Sequence, residues 1–350
     1  MHAVVDGPVR QVRVGLIGAG RIGTSHATLL ARHVPGAALV AVADPRPDAA
    51  QALATGFGCR AITDAAELFA DPAIEAVVIT ASADAHAGLV VGAAAAGKAV
   101  FCEKPMGLTL AEVTRGIEAA EAAGVTLQVG FNRRFALDFA KGRRLVVAGE
   151  VGTPQLMRSL TRDPGLANPA AVPPWTIFLQ TLIHDFDTLL WLNPDAEPVS
   201  VFATADALVA PEFKDAGLLD TAVVVITFDN GAIAVAEASF SASYGYDVRA
   251  EVFGSGGMVS MGDGARSSLV HSTNSGRHID TVRGDVALFR DAYLAELVEF
   301  TDAVREGRPA AVTGQDARRA LSVALASIES VERGMPVTVG AAAEVEASSR

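Results

Sequence analysis

The sequence contains few of the features that would indicate a secreted, membrane-bound or nucleic-acid-binding protein. Its 350 residues include only 2 cysteines, Cys59 and Cys102, which excludes a disulfide framework and suits a reducing compartment. The longest nearly apolar run, 87–97, is too short to span a bilayer. The N-terminus lacks a basic segment followed by an apolar one, so no secretion signal is visible and a cytoplasmic location is expected.

Positive charge is also scarce, because 28 Lys and Arg stand against 40 Asp and Glu. The net charge of −12 makes nucleic acid an unlikely type of partner. Hydrophobic residues make up 50% of the chain and charged residues only 19%, which is typical of a globular protein with enough length for two domains. We expect a first domain at 11–131, a second at 132–338, and loose tails at 1–10 and 339–350.

The first strand signal is followed at once by a glycine-rich motif. Residues 12–17 are an apolar, β-branched run, the next six read Gly-Ala-Gly-Arg-Ile-Gly, and 24–32 has a helical pattern. In this context the first glycine permits a tight turn, the second lets a pyrophosphate approach the backbone, and the third lets helix and strand pack closely. The residues assigned to cofactor binding here are Gly18, Gly20, Arg21, Ile22 and Gly23.

A second strand signal, 38–43, ends at Asp44, which lies 21 positions after Gly23. An acidic residue at this place binds the adenosine ribose hydroxyls and repels a 2′-phosphate, which favours NAD over NADP. Asp44 could instead only open a turn with Pro45. Arg46 keeps NADP possible, because an arginine can bind a 2′-phosphate.

Strand and helix signals continue to alternate up to residue 130, with strands at 76–80, 99–102 and 126–130 and helices at 85–96 and 110–123. This alternation predicts βαβ units and a doubly wound parallel sheet of the Rossmann type. Polar residues after these strands are expected to line the cofactor crevice. They are Thr80, Ser82, His86, Glu103, Lys104 and Asn132, although the position of His86 at a helix start favours a structural role.

The pattern changes after residue 135. Strand-like runs occur at 155–161, 199–208, 221–228, 233–243, 248–254 and 258–261, and Asp229-Asn230-Gly231 is a strong hairpin signal. Helices are expected at 288–306 and 315–333. The overall fold class is therefore α/β, a Rossmann sheet followed by an α+β domain with a large open, mostly antiparallel sheet. One face of that sheet is expected to form an interface between copies of the chain.

A helical pattern runs from Gln180 to Leu192. Gln180, His184 and Asp187 occur at i, i+4 and i+7, which places them on one face of a regular helix. A polar solvated stripe is the simplest explanation. The alternative is an active-site face, because histidine is a suitable acid and base for interconverting an alcohol and a ketone.

Four motifs together resemble the glucose–fructose oxidoreductase/inositol dehydrogenase/MocA family over roughly residues 10–335. They are the glycine motif 18–23, Cys102-Glu103-Lys104-Pro105, Gly130-Phe131-Asn132-Arg133-Arg134-Phe135 and His184-Asp185-Phe186-Asp187. Within this family, three segments are most similar to inositol 2-dehydrogenases: Arg162-Asp163-Pro164, Ile183-His184-Asp185-Phe186-Asp187, and Tyr244-Gly245-Tyr246-Asp247 with 251–255. The resemblance implies a homodimer or homotetramer formed through the second domain's sheet, and a cis peptide bond before Pro105.

The resemblance also implies roles for single residues. Lys104 would hydrogen-bond the reacting hydroxyl, and His184 would take its proton during oxidation or return it during reduction. Arg133, Asp163, Asp187 and Tyr244 would hold other substrate hydroxyls. Arg133 could instead form a surface or inter-domain ion pair, and Tyr244 could simply pack in its strand. Gln180 would contact substrate too, but it replaces the aspartate usual in inositol dehydrogenases and cannot stabilise an imidazolium by charge.

The sequence therefore predicts an NAD-dependent oxidoreductase that oxidises a secondary hydroxyl of an inositol-like cyclitol or a pyranose sugar, with no metal. Arg46 keeps open an NADPH-dependent sugar or keto-sugar reductase of the same family. Gln180 keeps open a catalytically weak paralogue that binds cofactor for regulation. Short-chain dehydrogenases are excluded because no tyrosine is followed by lysine four residues later. Zinc alcohol dehydrogenases are excluded because two isolated cysteines do not make their metal sites.

Overall fold

The computed structural model describes residues 10–262 and 264–340, which form two compact units. The first unit contains the chain up to Gly130 together with Tyr293–Gln315, and the second contains Phe131–Ala292 and the chain from Asp316 onward. The fold class expected from the sequence is confirmed. The predicted tails lie outside the described residues, except for Arg10, Val339 and Gly340. The domain limits 11–131 and 132–338 stay a prediction.

The first unit is built on a six-stranded parallel sheet with the strand order β3-β2-β1-β4-β5-β6. Its strands are β1 (Val12–Ile17), β2 (Ala37–Ala43), β3 (Arg60–Ile62), β4 (Ala76–Ile79), β5 (Ala99–Glu103) and β6 (Leu127–Gly130). Its connecting helices are α1 (Arg21–Arg32), α2 (Pro47–Phe57), α3 (Ala65–Ala70), α4 (Ala83–Ala95) and α5 (Leu110–Ala123). The strand order reverses between β1 and β4, and in such sheets the crevice at that reversal is where ligands bind.

Local sequence signals explain the helix limits in this unit. Thr109 and Glu112 form a capping box at the start of α5, and Gly124 ends the helix in the left-handed conformation with φ 64°. Strands β4 and β5 are buried along their whole length, as expected for central strands covered by helices on both faces.

The second unit contains a seven-stranded mixed sheet with the order β12-β11-β7-β10-β9-β8-β15 and a separate two-stranded hairpin, β13-β14. The strands are β7 (Pro154–Arg162), β8 (Pro198–Asp206), β9 (Thr221–Phe228), β10 (Ile233–Ser239), β11 (Asp247–Gly254), β12 (Met258–Met261), β13 (Ala265–Thr273), β14 (Gly276–Thr281) and β15 (Val337–Thr338). Among the described neighbouring strands of the seven-stranded sheet, only β7 and β10 run parallel to each other. The predicted hairpin at Asp229-Asn230-Gly231 is confirmed, with Gly231 at φ 84° between β9 and β10.

The remaining helices follow the same chain order. They are α6 (Leu137–Val147), α7 (Ile183–Leu192), α8 (Asp285–Leu288), α9 (Arg290–Glu306) and α10 (Gly314–Arg333). A π-helix, Ile177–Leu182, runs directly into α7, and short 3-10 turns occur at Asn132–Phe135, Pro169–Ala171 and Pro211–Ala216. Among the described residues, no helix is both long and apolar enough to cross a membrane.

Candidate active site

The glycine motif forms the loop between β1 and α1, and its first and third glycines are required by close backbone contacts. Gly18 has φ 102°, and a Cβ there would lie 2.6 Å from the carbonyl oxygen of Thr80. A Cβ on Gly23 would lie 1.9 Å from the carbonyl oxygen of Gly18. Side chains at these positions would therefore push the loop away from β4 and from the helix.

Gly20 serves a different purpose. It directly precedes the first turn of α1. If a Cβ is placed on Gly20, no atom of the described residues other than its chain neighbours lies within 4 Å of that Cβ. The first turn of α1, which contains Arg21 and Ile22, has no acidic residue. Open backbone beside the N–H groups of a helix start fits an anionic pyrophosphate, so these residues fit NAD.

Asp44 follows β2 and contacts the same loop. Its carboxylate accepts the N–H of Ala19 at 2.8 Å, and Arg46 donates to it from the backbone N–H at 2.9 Å and from Nε at 3.0 Å. Burial to 5% exposure would raise the pKa of Asp44, but the hydrogen bonds from Arg46 and Ala19 outweigh burial and lower it. Asp44 is thus a fixed negative charge at the loop where ribose is expected.

Two further residues predicted to bind the cofactor, Thr80 and His86, also have structural partners. The Thr80 hydroxyl donates to the carbonyl oxygens of Ile17 and Gly18 at 3.0 and 2.9 Å. His86 is buried, with Nδ1 2.8 Å from the carbonyl oxygen of Pro105 and Nε2 3.0 Å from that of Ala81. His86 therefore joins the loops after β4 and β5, as its structural interpretation predicted. Ser82 is exposed just before α4.

Lys104 directly follows β5. Its backbone N–H donates to Oε2 of Glu103 at 3.2 Å, and Glu103 is itself buried. The cis peptide bond before Pro105 that the resemblance implied is present. The Glu103-Lys104-Pro105 segment thus has a defined backbone conformation at the carboxyl end of a central strand.

In the second unit, α7 carries His184 and is anchored to β7 through a buried polar network. Asp185 on α7 accepts hydrogen bonds from Nη1 of Arg133 at 2.7 Å and from the hydroxyls of Ser159 and Thr161 at 2.6 Å each. Arg133 also donates to Thr161 at 2.5 Å. A buried charge pair whose two carboxylate oxygens both accept hydrogen bonds holds its elements in one arrangement. Arg133 thus does form an ion pair, but the pair is buried within this unit and does not lie on the surface.

Asp187 lies in a second ion pair. Its two carboxylate oxygens accept from Nε and Nη2 of Arg134 at 2.9 and 2.5 Å, and Arg134 also contacts Asp316 at 3.0 Å. Burial would lower the pKa of Arg134, but the negative charges of Asp187 and Asp316 outweigh burial and raise it. Asp187 is buried, whereas Gln180 and His184 are both partly exposed, so the three do not share one environment.

The other predicted substrate residues of this unit lie on or near the ends of β7 and β11. Tyr244 is half-exposed, and its hydroxyl donates to Oδ2 of Asp247 at 2.7 Å. Asp163 follows β7 and exchanges backbone hydrogen bonds with Ser239 and Ala242. Nearby Tyr246 is buried, and burial and the charge of Asp163 raise the pKa of its hydroxyl.

Phe131 packs edge-on against the ring of His184, with the ring centroids 6.0 Å apart. Asn132 is buried.

The sequence analysis missed Asp185 and Arg134 as residues that fix the candidate site. Both lie inside motifs quoted for the family resemblance, so adjacency to His184 and Arg133 was an available signal. Which carboxylate each arginine contacts depends on how α7 packs on β7, and local periodicity does not contain that information.

Comparisons with known proteins agree with this architecture. Residues 12–131 match the model of an oxidoreductase family with an NAD-binding Rossmann fold, and residues 139–260 match the GFO/IDH/MocA C-terminal domain. Myo-inositol 2-dehydrogenase of Thermotoga maritima is 40% identical over 92% of this chain and 96% of its own. Scyllo-inositol 2-dehydrogenase (NAD(+)) of Bacillus subtilis is 37% identical over 93% and 96%.

A solved structure shares the fold. Scyllo-inositol dehydrogenase from Lactobacillus casei, crystallised with NAD(H) and scyllo-inositol, superimposes with a TM-score of 0.90 at 26% identity and covers 94% of this chain and 99% of its own. The resemblance found in the sequence is therefore confirmed, as is the NAD-binding domain. The chain belongs to the GFO/IDH/MocA family of oxidoreductases.

Proposed function

We propose that this chain is an NAD-dependent dehydrogenase that oxidises a secondary hydroxyl of an inositol, or of a closely related cyclitol or pyranose, to a ketone. The observation that carries the proposal is full-length similarity to inositol dehydrogenases together with a glycine loop that fits NAD. The cofactor would be held by the loop 18–23 and by Asp44. Bound NAD⁺ supplies the hydride acceptor.

Lys104 and His184 are the proposed acid and base residues. Lys104 donates a hydrogen bond to the reacting oxygen, which favours the developing negative charge as the hydroxyl loses its proton. His184 accepts that proton during oxidation and returns it during reduction. The buried anchoring of α7 by Asp185 supports this role, because a base must be held in a fixed orientation.

We propose that Asp163, Gln180 and Tyr244 hold other hydroxyls of the ring. Their side chains combine donors and acceptors, which suits a polyol. Arg133 and Asp187 are kept as proposed substrate residues, but each already contacts an oppositely charged partner. Their first effect is to fix the positions of neighbouring groups.

The test is an absorbance assay of NADH formation with inositol stereoisomers and common pyranoses, using NAD⁺ and NADP⁺. We expect turnover with NAD⁺, and we expect Lys104→Ala and His184→Ala to lower kcat at least about a thousandfold while NAD binding is retained. Lys141→Ala and His271→Ala change the same residue types at exposed positions and serve as controls.

Three outcomes would contradict the proposal. Loss of NAD binding in both active-site variants would show that the assigned roles are wrong. Tight NAD(H) binding without turnover on any inositol, sugar or keto-sugar would favour the regulatory alternative. Turnover of keto-sugars with NADPH alone would favour the reductase.

We also propose a homo-oligomer formed through the outer face of the seven-stranded sheet. Ile233, Leu156, Phe253 and Met258 are register partners across β10, β7, β11 and β12, and they are 43%, 49%, 46% and 57% exposed. A continuous apolar row of this kind across four strands is typical of a surface covered by a partner. A second copy of the chain is the proposed partner.

A cytoplasmic location belongs to the same proposal. Cys59 and Cys102 are both free thiols, and burial raises the pKa of each, so both stay protonated and unreactive. Free thiols of this kind suit a reducing compartment.

A further inference from the structure

Three buried ionisable side chains meet at the carboxyl end of β5, beside the segment that carries Lys104. His26 lies on α1, Glu103 ends β5, and Glu296 lies on α9. His26 and Glu296 are 0% exposed and Glu103 is 7% exposed. Nε2 of His26 is 3.0 Å from Oε1 of Glu103 and 4.0 Å from Oε1 of Glu296. The proposed proton chemistry at Lys104 and His184 does not use this cluster.

The cluster is enclosed by apolar and neutral groups. The His26 ring packs edge-on against Phe101 and Tyr293 at 5.7 and 5.5 Å, and Nε2 of Gln128 on β6 donates to the backbone oxygen of Glu296 at 2.8 Å. Tyr293 on α9 and Cys102 on β5 are the other titratable groups beside it. Two carboxylates so close in a dry site cannot both be charged without a large cost. Burial and the charge of Glu103 accordingly raise the pKa of Glu296 well above its usual range.

Hydrogen-bond alignment is poor in this cluster, although the distances are short. Among the described residues, both His26 ring nitrogens, Oε1 of Glu103 and both carboxylate oxygens of Glu296 are buried without a well-aligned hydrogen bond. Buried polar atoms are normally satisfied, so the three side chains must satisfy one another or share a ligand. The smallest ligand that fits between Nε2 of His26 and an oxygen 3.0 Å away is a proton.

We propose that His26, Glu103 and Glu296 share protons in one buried cluster, and that this cluster positions the backbone of Lys104. The inference rests on the proposed role of Lys104. Glu103 is the link, because Oε2 accepts the N–H of Lys104 while Oε1 faces His26. Gly130 on β6 leaves room for this carboxylate, since a Cβ there would lie 3.1 Å from Cδ and Oε2 of Glu103.

A divalent metal is the competing ligand, since one donor atom from each residue lies within 4.8 Å of the others. Ligand atoms around a tetrahedral ion at about 2.1 Å are about 3.4 Å apart, which is longer than the pair at 3.0 Å. Oε2 of Glu103 is also already occupied by the N–H of Lys104. These observations argue against a tetrahedral ion, and elemental analysis of the purified protein separates a proton from a metal held in another geometry.

The test compares Glu103→Gln, Glu296→Ala and Glu296→Gln in the full chain. We expect Glu103→Gln to lower kcat about tenfold with the Kd for NADH unchanged, because the Lys104 N–H loses a charged acceptor. Glu296→Ala should also lower kcat, and Glu296→Gln should restore most of the loss, because an amide mimics the protonated acid. Glu299→Gln, on the same helix but paired with Arg308, is the matched control.

A second readout does not depend on turnover. Nitrogen NMR of labelled histidine reports the chemical shifts of the two His26 ring nitrogens in the protein without cofactor, and we expect Glu103→Gln to change them while Glu299→Gln does not. Unchanged His26 nitrogen shifts, an unchanged kcat in Glu103→Gln, or a stoichiometric metal removed by Glu296→Ala would each overturn the proposal. If Lys104→Ala stayed fully active, the proposed function would fail instead, whatever His26 did.

Discussion

At the residue scale, Asp44 and Arg46 are the proposed determinants of the preference for NAD over NADP. Asp44 stays ionised because Arg46 and the Ala19 N–H lower its pKa against the effect of burial. Arg46 in turn directs Nε and Nη2 at that carboxylate. An arginine held by an acid is poorly placed to bind a 2′-phosphate, so the pair favours NAD.

Asp44→Ala should therefore relax this preference. Removing the carboxylate ends its repulsion of a 2′-phosphate and releases Arg46, so the ratio of kcat/KM for NAD⁺ to that for NADP⁺ should fall at least about tenfold. Steady-state kinetics with both cofactors measures the ratio. Asp48→Ala, an exposed acid in the first turn of α2, should leave it unchanged. An unaltered ratio in Asp44→Ala would mean that Asp44 is only a turn residue.

Gln180→Asp tests the residue that departs from the family pattern. A carboxylate near His184 would stabilise the imidazolium and raise the pKa of His184. Oxidation needs the neutral base, so the lower limb of the kcat/KM pH profile should move to higher pH. Gln180→Asn, which adds no charge, separates charge from shape. An unmoved limb in Gln180→Asp would show that the two side chains do not interact electrostatically.

Several site residues could be predicted from sequence because their function depends on local spacing. The glycines at 18, 20 and 23 are required by a loop between adjacent elements, and Asp44 follows the next strand. The partners of Arg133 and Arg134 could not be predicted in this way. Asp185 and Asp187 lie more than fifty positions away, and only the packing of α7 determines which of them each arginine contacts.

At the element scale, the helix predicted from Gln180 is confirmed only from Ile183 onward. Residues Ile177–Leu182 form a π-helix, in which hydrogen bonds run from i to i+5 and the turn is wider. The 3.6-residue spacing that joined Gln180 to His184 therefore does not apply across this junction. Hydrophobic periodicity does not show such a local change of helix type, and π-turns are frequent at functional sites.

Asp185→Ala tests whether the buried network holds α7 on β7. The change to alanine would leave Arg133 buried without its carboxylate, and the hydroxyls of Ser159 and Thr161 without their acceptor. Breaking a buried ion pair lowers the free energy of unfolding by about 3–5 kcal/mol, so the midpoint of urea unfolding should fall. Both tryptophans, Trp175 and Trp191, lie in the second unit, so their fluorescence during urea unfolding reports on this unit.

The matched control for this change is Asp215→Ala, which removes an exposed acid of the same unit. It should leave the urea midpoint within experimental error of the unchanged protein. A midpoint for Asp185→Ala equal to that of the control would contradict an anchoring role for the network.

At the scale of the whole molecule, the parallel sheet of the first unit could be predicted from the sequence, but the later return of the chain to that unit could not. Alternating signals required a parallel sheet of βαβ units, and the reversal between β1 and β4 follows from the nucleotide-binding motif. The return of Tyr293–Gln315 to the first unit had no local signal. An amphipathic helix such as α9 shows that it has a buried face, but its sequence does not show which core it covers.

The open sheet face gives the last prediction. Phe253 and Ile233 both neighbour Leu156 in the apolar row, and the pair Arg158–Glu237 lies beside it with Nη2 2.8 Å from Oε1. Phe253→Glu combined with Ile233→Glu places two uncompensated charges in the proposed interface, where like charges repel and lose solvation. Light scattering with size-exclusion chromatography should then give the mass of a single chain. Leu137→Glu, at a more exposed apolar position on α6, should keep the oligomer. An oligomer that survives the double substitution would show that another surface joins the copies, because a row buried between two subunits cannot hold four extra charges.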